Sequence, residues 1–187
     1  AQDSKLFVIS GPSGAGKGTL VTRVRERRSN LGLTVSATTR APRKGEVDGV
    51  NYFFLTREEF DRRVANGEFV EWAEVHGNCY GTLVSEVTSK LASGASLILE
   101  IDVQGALQVK ERFPEAVLIF IKPPSLEVLR ERLVGRGTET PETIELRMAN
   151  AADELALADR YDDVVVNDDL DRATDELVRV LDMHERI

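Results

Sequence analysis

Short apolar runs alternate along the chain with segments whose apolar residues have helical spacing. Continuous apolar runs occur at residues 6–9, 97–99, 117–121 and 164–166, and a helix-like segment follows each of them. Apolar strands separated by helices are typical of a parallel sheet that is covered on both faces. Right-handed crossovers place a ligand at the carboxyl ends of such strands. The pattern therefore predicts an α/β fold with its ligand site at that edge of the sheet.

A different pattern occupies residues 34–82, which we call the insertion. Residues 50–54 and 69–75 alternate between apolar and polar side chains, as half-exposed antiparallel strands do. Between them, Thr56 and Glu59 have the spacing of a capping box that opens a short helix. The insertion is therefore predicted to form a small mixed sheet.

A second interruption, residues 125–159, is predicted to be a hinged helical segment, which we call the lid. Arg136 lies between two glycines that separate two helix-like stretches, and Thr140 followed by proline is a typical helix start. The expected organisation is a single domain with a core of residues 1–33, 83–124 and 160–187, the insertion at 34–82 and the lid at 125–159.

Residues 10–19 join the first predicted strand to the first predicted helix. Their glycines allow a tight turn whose N–H groups point inward, and the helix N-terminus adds partial positive charge. A glycine-rich turn in this context is typical of a phosphate-binding loop, in which Lys17 would reach the outer phosphates of a triphosphate. The alternative, a turn that binds nothing, does not explain the spacing and both flanks. The predicted phosphate-binding residues are Gly11, Pro12, Ser13, Gly14, Ala15, Gly16, Lys17, Gly18 and Thr19.

Gly18 departs from the commonest form of this loop. Most such loops have Ser or Thr directly after the lysine to hold Mg²⁺, whereas here Thr19 comes one position later. Because Mg²⁺ readily keeps its water, we expect water and substrate oxygens to hold the ion more than a protein hydroxyl does.

Composition narrows the range of partners. The chain has 187 residues and a net charge of −8, which suits one domain and argues against nucleic acid as the main partner. Its central cations suit a small, highly charged anion in a cleft. The single Cys79 can form no internal disulfide, and no apolar run is long enough to span a bilayer. With no signal peptide at its start, we expect a cytoplasmic protein without membrane contact. The clustered cations are Arg40, Arg43, Lys44, Arg130, Arg132, Arg136 and Arg147.

Several ordered motifs extend over nearly the whole chain. They are GPSGAGKG at 11–18, SATTRAPR at 36–43, EFVEW at 68–72, GNCYGT at 77–82, LEIDVQG at 99–105, GRGT at 135–138 and VNDD at 166–169. In this order they resemble the guanylate kinases, and the resemblance runs from about residue 6 to the last helix. It implies a P-loop NTPase-type fold, ATP as phosphoryl donor with Mg²⁺, and GMP, with dGMP in addition, as the acceptor.

The resemblance also implies which residues hold the acceptor phosphate. Arg40 and Arg43 would grip it, because a guanidinium group matches phosphate oxygens with a fork of donors and keeps its charge at neutral pH. Tyr52 and Tyr80 would donate hydroxyl hydrogen bonds to the same phosphate. Solvated loop charge and ordinary strand packing are the alternatives for these four residues.

Base recognition is implied for Glu71, Asp102 and Ser36, with Thr82 assisting. Guanine presents N1–H and a 2-amino group as donors, which suit two carboxylates, and an O6 acceptor, which suits a hydroxyl. Adenine has an acceptor at N1 and would leave a buried carboxylate unpaired, which is costly. Sites of this kind reject the wrong partner by on the order of 10⁴-fold.

On the donor side, the resemblance implies that Arg136 and Arg147 close over the transferring phosphoryl group, with Arg132 as a third arginine. Asn167 would lie near the adenine of ATP, and a turn after a strand is the alternative for it. Glu100 is assigned to the outer shell of the metal, although a carboxylate at a strand end also caps helices. The implied catalytic residues are Lys17, Arg40, Arg136 and Arg147.

Two rival functions are weighed against phosphoryl transfer to GMP. The first is a non-catalytic guanylate-kinase-like module that binds partner proteins; such modules tend to lose the phosphate-loop and lid residues that this chain keeps. The second is a monophosphate kinase for another base, which the pairing of Glu71 with Asp102 disfavours. The sequence leaves the oligomeric state open.

Overall fold

Strands and helices alternate through most of the chain in the computed structural model, which describes residues 4–185. Residues 1–3 and 186–187, which begin and end the expected core, lie outside the described residues. The strands are β1 (Leu6–Ser10), β2 (Gly32–Leu33), β3 (Ala37–Thr38), β4 (Phe53–Phe54), β5 (Phe69–Val75), β6 (Asn78–Leu83), β7 (Leu97–Glu100), β8 (Val117–Lys122) and β9 (Asp163–Val166). The helices are α1 (Lys17–Arg27), α2 (Arg57–Ala65), α3 (Val84–Ala92), α4 (Val103–Arg112), α5 (Leu126–Gly135), α6 (Pro141–Leu155) and α7 (Leu170–Glu185), with a 3₁₀ turn at Ala158–Arg160.

The main sheet is parallel and has the strand order β2-β7-β1-β8-β9. β1 lies in its centre, with Val8 opposite Leu99 on one side and Leu118 on the other. Every residue of β1 is buried, because α1 and α7 pack on one face of the sheet and α3 and α4 on the other. All four predicted apolar runs form strands of this sheet, and the predicted α/β fold with helices on both faces is confirmed.

The second sheet has the order β4-β3-β6-β5 and is mixed, as predicted. The antiparallel strand expected at residues 50–54 is wrong in length and direction: only β4 is extended there, and it runs parallel to β3. The chain before β4 forms a turn, in which Gly49 has a φ of 81° and its N–H donates to the Tyr52 carbonyl. The alternation of apolar and polar residues arose from this turn, not from a strand.

A separate apolar cluster joins α2 to the second sheet. Thr56 caps α2 as predicted, since its hydroxyl accepts a hydrogen bond from the Glu59 N–H. Phe60 is fully buried, and its ring centroid lies 4.4 Å from that of Phe69 and 6.2 Å from that of Trp72. This aromatic group holds the helix against β5.

Phe60→Ala is expected to lower the free energy of unfolding by about 3–5 kcal/mol, because it removes a buried ring and leaves a cavity. Urea unfolding followed by circular dichroism measures this change. Met183→Ala is the control, because Met183 is 60% exposed on α7 and its loss should change stability by only about 0.5 kcal/mol. Equal effects of the two substitutions would contradict the buried role of Phe60.

The lid consists of α5, a short loop and α6. The two helices pack on each other through a small apolar cluster that includes Leu129, Leu133 and Ile144. Thr140 caps α6 as predicted, since its hydroxyl accepts from the Thr143 N–H, and proline follows it at the first helical position. Within residues 4–185, no helix combines the length and the apolar character needed to cross a membrane.

Candidate active site

The loop between β1 and α1 has the tight backbone that a phosphate-binding loop requires. Gly16 has a φ of 86°, and a Cβ atom there would lie only 2.4 Å from the Asn167 side-chain nitrogen. At Gly11 a Cβ atom would lie 2.2 Å from the Ile121 carbonyl oxygen, which belongs to the backbone and cannot move aside. Only glycine fits these two positions without rearrangement of the neighbouring strand and loop.

This loop forms one wall of a cavity of about 480 Å³ at the carboxyl ends of β1 and β7. The half-buried Lys17 lies in the cavity, where its Nζ donates a hydrogen bond of 2.8 Å to the Gly11 carbonyl. Burial lowers the pKa of the Lys17 ammonium, and nearby Glu100, Glu154 and Asp102 oppose that shift. The cavity is lined by Gly11, Pro12, Ser13, Gly14, Gly16, Lys17, Gly18, Thr19, Glu100, Asp102, Arg136, Arg147, Asn150 and Glu154.

Two of the lid arginines reach this cavity. Arg147, on α6, donates from Nη1 to the Ser13 hydroxyl at 2.7 Å, and Arg136 lines the cavity from the loop that follows α5. Arg132 lies behind the loop instead, since its Nη2 donates to the Asn167 carbonyl at 2.9 Å. The structure therefore brings the lid cations and Lys17 around one space.

The Asn167 side chain supports the phosphate loop through a hydrogen bond. The residue is 6% exposed, and its side-chain Nδ2 donates to the Ala15 carbonyl at 2.8 Å. This bond holds the loop against the start of α7. Contact between Asn167 and the adenine of ATP stays a prediction.

Two carboxylates meet beside the same cavity, above the first turn of α4. A Cβ atom on Gly105 would lie 3.0 Å from Asp102 Oδ1 and 3.4 Å from Glu71 Oε2, so both groups converge on this glycine. The Glu71 Oε1 accepts a hydrogen bond of 2.8 Å from the buried Thr82 hydroxyl. Burial raises the pKa of Glu71, the Thr82 bond lowers it, and the charge of Asp102 raises it further. Asp102 also caps α4, because its Oδ1 accepts from the Gly105 N–H at 2.7 Å.

Arg40, Tyr52 and Tyr80 form a cluster on the second sheet. The Arg40 guanidinium lies 5.1 Å from the Tyr52 ring centroid, and the two tyrosine rings are 6.1 Å apart. Arg40 is already paired with Glu46, to which it donates two hydrogen bonds of 2.9 Å. The side chain of Arg43 is exposed nearby.

Ser36 precedes β3 and is half-buried; its carbonyl accepts a hydrogen bond from the Phe53 N–H. The residues of the cluster around Arg40 and those around Glu71 are carried by the same sheet, since β3 and β5 both pair with β6.

Asn150 and Glu154 also line the cavity, although neither was predicted from the sequence. They lie on α6 with Arg147 at spacings of three and four residues, which places all three on one helix face. That spacing was the available signal. Burial raises the pKa of Glu154, and the charge of Lys17 opposes the rise.

The carboxylates around Lys17 form an oxygen-rich donor set. Glu100 Oε1 would lie 3.6 Å from a Cβ atom on Gly18, so this carboxylate faces the start of α1. Among residues 4–185, no three His, Cys, Asp or Glu side chains are grouped so that they could hold a metal ion. Hard oxygen ligands in this sparse arrangement fit Mg²⁺ that is held through water and phosphate oxygens.

Comparisons with known proteins agree with this geometry. The sequence profile of a family described as guanylate kinase matches residues 3–184. A guanylate kinase of Gloeobacter violaceus is 57% identical over 178 residues, which cover 95% of this chain and 87% of the relative. One of Halalkalibacterium halodurans is 53% identical over 94% of this chain and 86% of its own length. The crystal structure of guanylate kinase from Anaplasma phagocytophilum is similar with a TM-score of 0.74 and 36% identity, covering 100% of this chain and 89% of that one.

Proposed function

Because the chain belongs to the guanylate kinase family, we propose that the cavity around Lys17 binds ATP and that the second sheet binds GMP beside it. The γ-phosphoryl group passes from ATP to the GMP phosphate and gives ADP and GDP. In this proposal the insertion is the GMP-binding part of a single domain, and α5 and α6 close over both nucleotides.

The convergence of Glu71 and Asp102 over Gly105 is the observation that supports this assignment most directly. Asp102 also lines the cavity of Lys17, so the base-reading carboxylates and the phosphate loop adjoin. Two carboxylates accept from guanine N1–H and its amino group, while Ser36 and Thr82 supply hydroxyls. Adenine would leave one of these carboxylates without a donor.

Cations perform most of the work of the transfer step. The attacking oxygen of the GMP phosphate is already ionised, so no general base is needed. Phosphoryl transfer spreads negative charge over the equatorial oxygens, and its catalysis depends on positioning and charge neutralisation. Lys17 acts on the phosphates of ATP. Four residues of the insertion orient the GMP phosphate, namely Arg40, Arg43, Tyr52 and Tyr80. The lid contributes Arg136 and Arg147.

The family uses ATP, and Mg²⁺ is proposed as its companion ion, with Glu100 in the outer shell. When bound, Mg²⁺ neutralises charge on the donor phosphates. Asn167 supports the phosphate loop through its hydrogen bond to the Ala15 carbonyl, and Arg132 supports Asn167 through its hydrogen bond to the Asn167 carbonyl. Closure of the lid over both nucleotides limits the reaction of ATP with water.

Other parts of the proposal concern the partners and the cellular setting. dGMP is proposed as a second acceptor, because none of the proposed contacts involves the ribose 2′-hydroxyl. The net charge of −8 supports nucleotides over nucleic acid as ligands. A cytoplasmic location is supported by the single thiol, Cys79, which can form no internal disulfide.

A panel of acceptors tests the function. Purified protein with ATP and Mg²⁺ is offered GMP, dGMP, AMP, UMP or dTMP, and ADP formation is followed by a coupled assay. Turnover with GMP and dGMP alone is expected. No turnover with any acceptor would favour the interaction module, for which the comparisons give no support, and turnover with AMP, UMP or dTMP would contradict the base assignment.

A further inference from the structure

An ion pair between a buried carboxylate, Glu139, and the partly exposed Arg147 lies behind the cavity; the Arg147 side chain is 39% exposed. The Arg147 Nε lies 2.6 Å from Glu139 Oε2, and the Glu139 side chain is only 10% exposed. Both atoms are buried, and neither makes a directed hydrogen bond with the described residues. The contact is therefore an ion pair between two groups that have no other partner at these atoms.

The two edges of the Arg147 guanidinium have different surroundings. Its Nε lies beside Glu139 Oε2 without the geometry of a hydrogen bond, while Nη1 donates to the Ser13 hydroxyl of the phosphate loop at 2.7 Å. A long arginine side chain has many rotamers, and fixing one of them costs conformational entropy. A carboxylate that holds one edge leaves the other edge directed into the cavity before any nucleotide is bound.

We propose that Glu139 is a positioning residue that holds the Arg147 guanidinium toward the phosphate cavity. The proposal rests on the proposed function, because it requires that Arg147 assist phosphoryl transfer. Glu139 lies in the loop between α5 and α6, one residue before the cap of α6, so it belongs to the lid together with Arg147. The lid thus carries the arginine and the group that orients it as one unit.

A buried carboxylate in this place has a cost unless it is paired. Removing one partner of a buried pair leaves an uncompensated charge, so Glu139 needs Arg147 as much as the reverse. The same cost explains why the pair should persist when the nucleotide arrives: Arg147 offers its Nη groups to phosphate and keeps Nε for Glu139. Arginine can do this because its guanidinium has donors on separate edges.

The lid also contains a matched control pair. Arg130 on α5 is paired with Glu145 on α6, but both side chains are about half exposed or more, at 46% and 65%. Neither residue lines the cavity of Lys17. Glu145→Gln therefore removes the same kind of charge from the same pair of helices without touching the site.

Glu139→Gln is expected to lower kcat by about 10- to 100-fold, because a misdirected catalytic group costs rate of this order. The KM for GMP should stay unchanged, since Glu139 does not contact the acceptor residues. Glu145→Gln should keep the wild-type kcat. Equal kcat values for the two variants would overturn the proposal.

A double-mutant cycle separates positioning from a general structural role. Glu139→Gln should have no further effect on the residual rate of Arg147→Ala, because its target is gone. An unchanged loss of rate in that background would overturn the proposal. A wild-type rate for Arg147→Ala alone would overturn the catalytic role of Arg147 in the proposed function, whereas an inactive Arg147→Ala with a fully active Glu139→Gln would overturn the positioning role alone.

A measurement without turnover keeps the proposal testable if the variants are poorly active or less stable. The Nε–H resonance of Arg147 is assigned in an arginine ¹⁵N–¹H spectrum by its loss in Arg147→Ala. Slow exchange of this proton with water is expected in the wild-type protein and in Glu145→Gln, and rapid exchange in Glu139→Gln. Rapid exchange already in the wild-type protein would overturn the ion pair.

Discussion

Lys17→Ala is expected to abolish turnover while the fold remains intact. The Lys17 ammonium is the only cation that the phosphate loop itself contributes to the cavity, and in the proposed mechanism it acts where negative charge is concentrated during transfer. Loss of such a group reduces the rate by about 10³-fold or more. Initial rates with saturating ATP and GMP measure the loss, and circular dichroism shows whether the fold is retained.

Lys110→Ala is the matched control for this substitution. The Lys110 ammonium also donates to a backbone carbonyl, that of Ala116 at 2.6 Å, just as Lys17 donates to Gly11 at 2.8 Å. Lys110 lies at the end of α4, outside the cavity of Lys17. The control should keep the wild-type rate, and a wild-type rate for Lys17→Ala would remove the phosphate-loop assignment.

Glu71→Ala is expected to raise the KM for GMP by about 10- to 100-fold, which corresponds to the loss of a charge-assisted hydrogen bond. The KM for ATP should change far less, because the contact proposed for Glu71 is with guanine and not with the donor nucleotide. The substitution also frees Thr82 from its bond to the carboxylate. Substrate titrations with each nucleotide in turn measure the two constants.

Glu74→Ala controls for the removal of a carboxylate from β5. Glu74 is on the same strand, but its side chain is half exposed and pairs with Arg57. It should leave both constants near their wild-type values. A larger change in the KM for ATP than for GMP after Glu71→Ala would mean that the two nucleotide sites have been exchanged in the proposal.

The parallel core could be predicted because each of its longer strands contains a continuous apolar run. β2, β3 and β4 could not be predicted, since two residues have no periodicity. Residues 50–54 misled because a turn around Gly49 alternates apolar and polar side chains much as a strand does. The direction of β4 depends on its tertiary contacts: it pairs in parallel with β3, and nothing in its local sequence indicates that.

The parts of the site that lie in short sequence motifs could be predicted, whereas the parts that depend on tertiary packing could not. The phosphate loop could be read from ten consecutive residues, whereas the carboxylate partners of the arginines depend on how loops fold back. Glu46 lies six residues from Arg40 within an irregular loop, and Glu139 lies in the loop before α6, eight residues from Arg147 on that helix. Asn150 and Glu154 share a helix face with Arg147, but their place in the cavity depends on how α6 packs against the phosphate loop.

Asp102 caps α4 and is also the proposed reader of the base, so a substitution at this residue affects both. One of its oxygens closes the first turn of α4, while the same carboxyl meets Glu71 over Gly105. A substitution that cannot cap the helix would destabilise it by about 0.5–2 kcal/mol. Given the base-reading role proposed for Asp102, a change of nucleobase preference that avoids this loss of stability requires a capping side chain such as Asn, Ser or Thr. In the proposed function, selectivity for the nucleobase and the stability of α4 are therefore coupled at Asp102.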